Sequence, residues 1–328
     1  MPMVTHPTET GGTVAVEIDQ LEKIYSGGIH ALRGINLSIE KGSIFALLGP
    51  NGAGKSTTMR TLATLTQATA GTAKVLGFDT STESSQIRQK IGYVPQTKCS
   101  DPYASVRDNL LFQARVYRIR RGERMVRIDQ LMSDFGLMDS ASCMASQLSG
   151  GMRRRLEIAM GIVHKPTLLL LDEPTVGLDP DARLELWDML TKAVDRDKMT
   201  LVFSTHYLDE VDQYASKVAI IDAGRVMAEG SPAELKRCIE GKMYTVELAR
   251  RSDGDAAMEI IRQIPRVTRV LQIGGKLHIT GGADHEFSQQ LSQLMKSTNI
   301  EILSLQVAQA SLGDVYTRVT TKAFDPSA

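Results

Sequence analysis

Cysteine is scarce in this chain of 328 residues, and its three copies, Cys99, Cys143 and Cys238, match no zinc or dithiol spacing. A scaffold stapled by disulfides or by a structural metal is excluded, and three reduced thiols in a cytosolic setting are expected. Neither sign of charge is in excess, since 38 Lys and Arg balance 38 Asp and Glu. The chain as a whole therefore has no basic field that would draw it to nucleic acid. It also lacks any apolar run of about 18 residues, so no segment is suited to cross a bilayer as a helix. Residues 1–12 have neither the basic start nor the apolar stretch of a secretory signal and read as a flexible tail. Tandem repeats and low-complexity segments are missing too.

What is present is an ordinary globular composition, 42% hydrophobic, at a length that suits one large domain and one small one. Val14, Val16 and Ile18 alternate with other residues as in a half-buried strand. Strands are also expected at 32–39, 43–48, 167–171, 199–203, 218–222 and 225–228, with Gly224 in the last turn. Helices are expected at 54–65, 181–194 and from Leu208, and a charged helical insertion occupies about 97–163. Continuous apolar strands alternating with helices imply an α/β fold with a mostly parallel, doubly wound sheet. After about Gly241 the order becomes β-α-β-β-α-β, including a helix over 284–297, which suggests a small ferredoxin-like α+β domain.

Two motifs carry chemistry. Gly49-Pro50-Asn51-Gly52-Ala53-Gly54-Lys55-Ser56-Thr57 fits the phosphate-loop spacing and lies between an expected strand and helix. Its glycines allow backbone N–H groups to face a phosphate, and the helix start adds partial positive charge. Lys55 is placed to reach the β- and γ-phosphates and Ser56 to ligate Mg²⁺. The second motif is the apolar run 168–171 ending in Asp172-Glu173-Pro174. Two carboxylates closing a buried strand are costly unless they serve a cation or a reaction. Strand alternation points them in different directions. One can hold Mg²⁺, through water, while the other orients an attacking water. Glu173 as general base would supply about 10²- to 10⁴-fold in rate.

Further short motifs bring these two into one family. Gln147-Leu148-Ser149-Gly150-Gly151-Met152 resembles the signature of ATP-binding cassette (ABC) transporters. Tyr93-Val94-Pro95-Gln96 resembles their Q-loop, Gly177-Leu178-Asp179 their D-loop, and Ser204-Thr205-His206 their switch histidine. Tyr25 stands where the family's adenine-stacking aromatic stands. Each is weak alone, but their order and spacing along residues 14–236 are specific. The runs Ser149–Leu156 and Thr205–Glu210, with the ending Ser311–Tyr316, resemble an exporter branch that includes daunorubicin-resistance ATP-binding proteins. Met152 departs from the usual Gln and removes a side-chain amide.

The resemblance implies a P-loop NTPase of the ABC ATPase kind over residues 13–238, with an antiparallel β subdomain and a helical subdomain, followed by an accessory domain over 242–321. It implies ATP and Mg²⁺ as ligands, with Ser56, Asp172 and Gln96 near the metal and Glu173, Gln96 and His206 as catalytic residues. It further implies a homodimer in the ATP-bound state, in which Ser149, Gly150 and Gly151 of one copy meet the γ-phosphate held by the other, and Asp179 couples the sites. A separate integral-membrane permease is the implied partner, holding the chain at the cytoplasmic face of the membrane while a drug, lipid or other amphiphilic cargo is exported. Tyr103, Leu110 and Phe112 are candidates either for that contact or for packing within the insertion. Arg118, Arg120 and Arg121 read as solvated surface, with lipid headgroup contact as the alternative, and Arg153 to Arg155 as cations in search of acidic groups or phosphate. A soluble ABC machine working on nucleic acid would be expected to carry two cassettes or a long coiled coil. A dead regulatory module should lack Lys55, Glu173 or His206. Neither description fits.

Overall fold

The computed structural model describes residues 14–238, and residues 242–322 apart from 268, 274, 283–286, 288, 292, 294–299 and 309. The tail expected over residues 1–12 lies outside them. The chain forms two compact units, residues 1–231 and 232–328.

The first unit contains two sheets. β1 (Val14–Ile24) pairs antiparallel with β2 (His30–Glu40) and β4 (Ala70–Val75), and β5 (Phe78–Asp79) completes the order β2-β1-β4-β5. Ile18 and Leu21 are both buried because the register shifts between them, at the left-handed Gln20. The larger sheet has the order β10-β9-β3-β8-β7-β6. Its strands are β3 (Ile44–Leu48), β6 (Ile91–Val94), β7 (Leu168–Asp172), β8 (Thr200–Thr205), β9 (Lys217–Asp222) and β10 (Arg225–Gly230). All neighbours run parallel except β10 against β9. Every residue of β7 and β8 is buried, which is why these strands read as apolar runs without alternation. One core holds the two sheets together, with Ile18 and Leu37 from the first and Phe45, Leu47, Leu168, Leu170 and Val202 from the second.

The parallel strands carry helices α1 (Lys55–Leu62), α6 (Pro180–Asp197) and α7 (Leu208–Tyr214), and α2 (Ser84–Lys90) precedes β6. Trp187 on α6 lies buried between Phe203 and Tyr214. Three helices make up the insertion: α3 (Val106–Val116), α4 (Arg121–Asp134) and α5 (Gly150–Gly161). The buried Arg127 of α4 donates to the Ile162 and Val163 carbonyls past the end of α5, and to Asp197 at the end of α6. Leu110 is fully buried with Val106 and Ala114, so it is core and not a surface contact. Tyr103 and Phe112 are exposed, as are Arg118, Arg120 and Arg121.

In the second unit, four strands form an antiparallel sheet: β11 (Lys242–Leu248), β12 (Arg269–Ile273), β13 (Lys276–Gly281) and β14 (Ile302–Ala308). Their order, β12-β13-β11-β14, places the first strand beside the third and fourth, as a ferredoxin-like β-α-β-β-α-β chain requires. α9 (Gly254–Arg262) follows β11 and contributes Ala257 and Ile261 to a core with Tyr244, Val246, Leu277 and Ile279. The helix expected over 284–297 falls largely outside the described residues, though its Phe287 and Leu291 are helical and buried. α8 (Pro232–Arg237) packs on α10 (Leu312–Lys322). Both helices belong to the second unit, which begins at Pro232.

His164, beyond α5, stacks on Tyr117 at 3.5 Å, and its Nε2 lies 3.0 Å from the Ile91 carbonyl. Burial lowers its pKa from 6.5 to about 4 against the pull of that carbonyl. The unfolded chain takes up a proton near its ordinary value that the folded chain refuses until about 4. The stability His164 contributes is therefore complete above about pH 6.5 and is lost as pH falls through that window. His164→Phe should flatten the acid-side loss of melting temperature between about pH 7 and pH 5. An unchanged slope would show that other groups set it.

Candidate functional site

β3, β7 and β8 are adjacent and parallel, so the turns leaving their carboxyl ends converge at one edge of the sheet. Open α/β sheets bind ligands at this edge. The turn after β3 is the glycine loop. Gly49 lies so close to β9 that a Cβ would stand 2.2 Å from the Ile221 carbonyl oxygen. Gly54 has φ 110° and enters α1, where a Cβ would stand 2.8 Å from the Ala31 carbonyl oxygen. No side chain caps α1, whose first N–H groups therefore face the loop without a side-chain acceptor.

Lys55 points back into this loop. Its Nζ donates to the Gly49 carbonyl at 2.7 Å and the Pro50 carbonyl at 3.1 Å. It also lies 3.3 Å from Glu173 Oε1, and the two side chains are only 4% and 6% exposed. Breaking such a pair leaves one buried charge uncompensated. Ser56 Oγ donates to Asp172 Oδ1 at 3.0 Å, and Ser204 Oγ donates to the same oxygen at 2.6 Å. The Ser204 hydroxyl in turn accepts the Glu173 N–H at 3.0 Å.

The two carboxylates part company for a different reason from strand alternation. β7 ends at Asp172, and Glu173 has φ 46°, in the left-handed region that costs a side-chain-bearing residue about 1–3 kcal/mol. This turn sends Glu173 away from the Ser56–Asp172 pair and toward Gln96 Nε2 (3.4 Å) and His206 Nδ1 (3.5 Å). Six of the residues singled out from the sequence thus meet here: Lys55, Ser56, Gln96, Asp172, Glu173 and His206. Tyr25 lies beside them, its hydroxyl 3.4 Å from Thr57 Oγ1 in the first turn of α1. Asn51, Gly52, Ala53 and Thr57 complete the loop, where Ala53 N–H donates to the Pro50 carbonyl.

Ser149, Gly150, Gly151 and Asp179 are not part of the cluster. Among the described residues, no hydrogen bond or ion pair joins them to it. Ser149 caps α5 by accepting the Met152 N–H at 3.2 Å, and Asp179 caps α6 by accepting the Ala182 N–H at 2.9 Å.

Other residues of the site have no role assigned by the sequence alone. Ser204 stands there only as part of the switch motif, yet it holds both Asp172 and Glu173. Glu210, four residues past His206, is buried and accepts hydrogen bonds from Thr175 and, at 2.8 Å, from Thr205. The three arginines of α5 take three different courses. Arg153 reaches back to the Ala145 and Ser146 carbonyls, and Arg155 pairs with Glu185. Arg154 enters the core, where burial lowers its pKa and Glu157 opposes the shift. The signal was available in cations placed at a helix start, where they are unfavourable without strong partners.

A glycine loop feeding a helix from a central parallel strand, with a hydroxyl–carboxylate pair and a second carboxylate beside it, defines a P-loop nucleoside-triphosphate hydrolase. Comparison with known proteins narrows the class. The pattern of the ABC transporter family matches residues 32–176. The chain is 36% identical to the daunorubicin/doxorubicin resistance ATP-binding protein DrrA of Streptomyces peucetius, over 97% of this chain and 94% of that one. It is 33% identical to the linearmycin resistance ATP-binding protein LnrL of Bacillus subtilis (strain 168), over 93% and 98%. Among solved structures it resembles the ATP-binding cassette MJ0796, a dimer in a post-hydrolysis state bound to ADP and Pi. That match has 28% identity and a TM-score of 0.61, covering 66% of this chain and 98% of that one. The chain belongs to the ABC transporter family as an ATP-binding protein, and it is an ABC-type ATPase.

Lys55→Ala should weaken ATP binding about 10- to 100-fold by calorimetry, because the phosphate charge loses its buried counter-ion. Unchanged affinity would contradict that placement. Gly54→Ala should lower unfolding stability by about 1–3 kcal/mol in a denaturant titration, since φ 110° and the Ala31 carbonyl both oppose a Cβ. A wild-type midpoint would show that the loop can shift at no cost.

Proposed function

We propose that the chain is the ATP-hydrolysing subunit of an exporter, working as a pair of identical copies on a separate membrane permease at the cytoplasmic face of the membrane. The observation that carries this reading is the convergence of Lys55, Ser56, Asp172, Glu173, Gln96 and His206 at one sheet edge. The remote position of the Ser149 turn supports the pairing. It is a helix start suited to phosphate, yet it is not joined to its own chain's cluster, so it acts on the nucleotide of a second copy. The cassette MJ0796 has been solved as a dimer. Among the described residues no helix is long and apolar enough to cross a membrane, which fits a separate permease. Relatives named for daunorubicin/doxorubicin resistance and linearmycin resistance, and a Nod factor export ATP-binding protein of Cupriavidus metallidurans, support export of a drug, lipid or other amphiphile.

In this reading Tyr25 stacks on the adenine, and the backbone of the 49–57 loop with Lys55 neutralises the β- and γ-phosphates. The Ser56 hydroxyl and Asp172 carboxylate are hard oxygen donors 3.0 Å apart, a pair that suits Mg²⁺ better than a softer metal. Gln96, which donates to Glu173 at 3.4 Å, is the third residue assigned to the ion. When bound, the ion supplies charge neutralisation at the phosphates. Glu173 polarises the attacking water, and its left-handed turn keeps it clear of the metal-binding pair. His206 contacts the γ-phosphate. Asp179, whose carboxylate caps α6, couples one site to the next. Loss of the γ-phosphate on hydrolysis removes what both copies hold, so the pair opens.

Glu173→Gln should bind ATP as the wild type does, lose at least about 100-fold in turnover, and accumulate as a dimer with ATP and Mg²⁺. Turnover is read by phosphate release and assembly by analytical ultracentrifugation. Wild-type turnover, or a chain that stays monomeric with ATP, would overturn the reading.

A further inference from the structure

The three consecutive arginines of α5 include one whose placement is unlike that of its neighbours. Arg154 is 8% exposed and directs its fork at the turns leaving two different strands. Nε donates to the Pro174 carbonyl at 2.9 Å, and Nη2 to the Asp172 and Glu173 carbonyls at 3.0 and 3.3 Å. Nη1 donates to the Pro95 carbonyl at 2.7 Å and to Glu157 Oε2 at 3.4 Å. These five contacts engage the whole donor set of a guanidinium.

Glu157, one turn along α5 and 3% exposed, holds the other side. Its Oε1 accepts the Cys99 N–H at 3.1 Å and the Ser100 hydroxyl at 3.2 Å. The 95–100 segment that carries Gln96 is therefore gripped at both ends by one buried ion pair on α5. Arg154 of this pair also grips the backbone on both sides of the strained Glu173 turn. That strain persists only if neighbours over-determine it. Two groups do so. Ser204 takes the Glu173 N–H, and Arg154 donates to the Glu173 carbonyl.

We propose that Arg154, braced by Glu157, is a positioning residue that fixes Glu173 and Gln96 relative to α5. The setting of the catalytic carboxylate then depends on the helix that begins at Ser149. The proposal rests on Glu173 being the water-polarising group, and it deepens that reading. A displacement of about 1 Å in such a group costs up to about 10²-fold in rate while leaving substrate binding nearly intact. Arg154 touches backbone carbonyls and Glu157, and no atom expected to react. Its removal should therefore appear in kcat and not in ATP affinity.

The test compares Arg154→Met with Arg154→Met/Glu157→Gln in the full chain. The single variant strands a buried carboxylate, so it loses melting temperature as well as rate. The double variant removes that charge, and the amide oxygen that replaces the Glu157 carboxylate can still accept from Cys99 and Ser100, so melting temperature recovers in part, short of wild type by the four backbone carbonyls that lose Arg154. We expect ATP affinity within about twofold of wild type in the double variant, with kcat still about 10- to 100-fold down. Recovery of kcat together with melting temperature would overturn the proposal, leaving Arg154 a purely structural cation. So would parallel loss of kcat and ATP affinity in the double variant. Glu173→Gln is assayed alongside. Wild-type turnover there defeats the reading of Glu173 itself. A dead Glu173→Gln beside a fast double variant defeats the role of Arg154 alone.

Discussion

Two carboxylates and one ammonium, nearly stripped of water at the end of a parallel sheet, set the terms for everything around them. Asp172, Glu173 and Lys55 are each almost fully buried. A protein interior tolerates such charges only when they are paired and hydrogen-bonded. The surrounding structure meets that demand. Lys55 spreads its charge over two loop carbonyls and Glu173, Asp172 takes two serine hydroxyls, and Ser204 ties the two acids together through the Glu173 N–H. The result is a polar cluster in which each of the three buried charges has a partner.

The fold explains how distant segments supply these groups. Lys55, Gln96, Asp172 and His206 are far apart in sequence, but β3, β6, β7 and β8 run parallel, so their exits share one edge. Helix α5 adds a third direction. It starts at the Ser149 turn and sends Arg154 beneath the exits of β6 and β7. The helical insertion is fastened to the rest at its far end by Arg127, which reaches Asp197 and two carbonyls past α5. The helix that begins at the signature turn is thus held at both ends by a buried arginine, one in α5 itself and one from α4.

The legible parts of the sequence were those whose physics is local. The glycine loop shows itself because Gly49, Gly54, Lys55 and Ser56 act within one turn. The apolar runs 168–171 and 199–203 announce buried parallel strands because both faces are covered. The helical spacing of Val106, Leu110 and Ala114 could have placed Leu110 inside, where it is, and left Phe112 outside. Other features depend on contacts across long stretches of chain. The Arg154 fork joins residues as distant as Pro95 and Pro174, and no spacing rule reports that. The left-handed backbone of Glu173 is equally hidden, because a Glu before Pro gives no sign of it. The role of Ser204 emerged only when β8 was set beside β7. In the second unit, the strand order followed from the β-α-β-β-α-β succession, while its second helix lies largely outside the described residues.

In the proposed pair, a triphosphate is clasped between the loop of one copy and the signature turn of another. A structure of the chain grown with Mg²⁺, ADP and beryllium fluoride would decide this, since the beryllium trifluoride group stands where the γ-phosphate would be. A two-fold pair is expected, with each beryllium trifluoride group within hydrogen-bonding reach, about 3 Å, of Lys55 in one copy and Ser149 in the other. A trifluoride group held by a single copy, with no second Ser149 near it, would rule the clasp out.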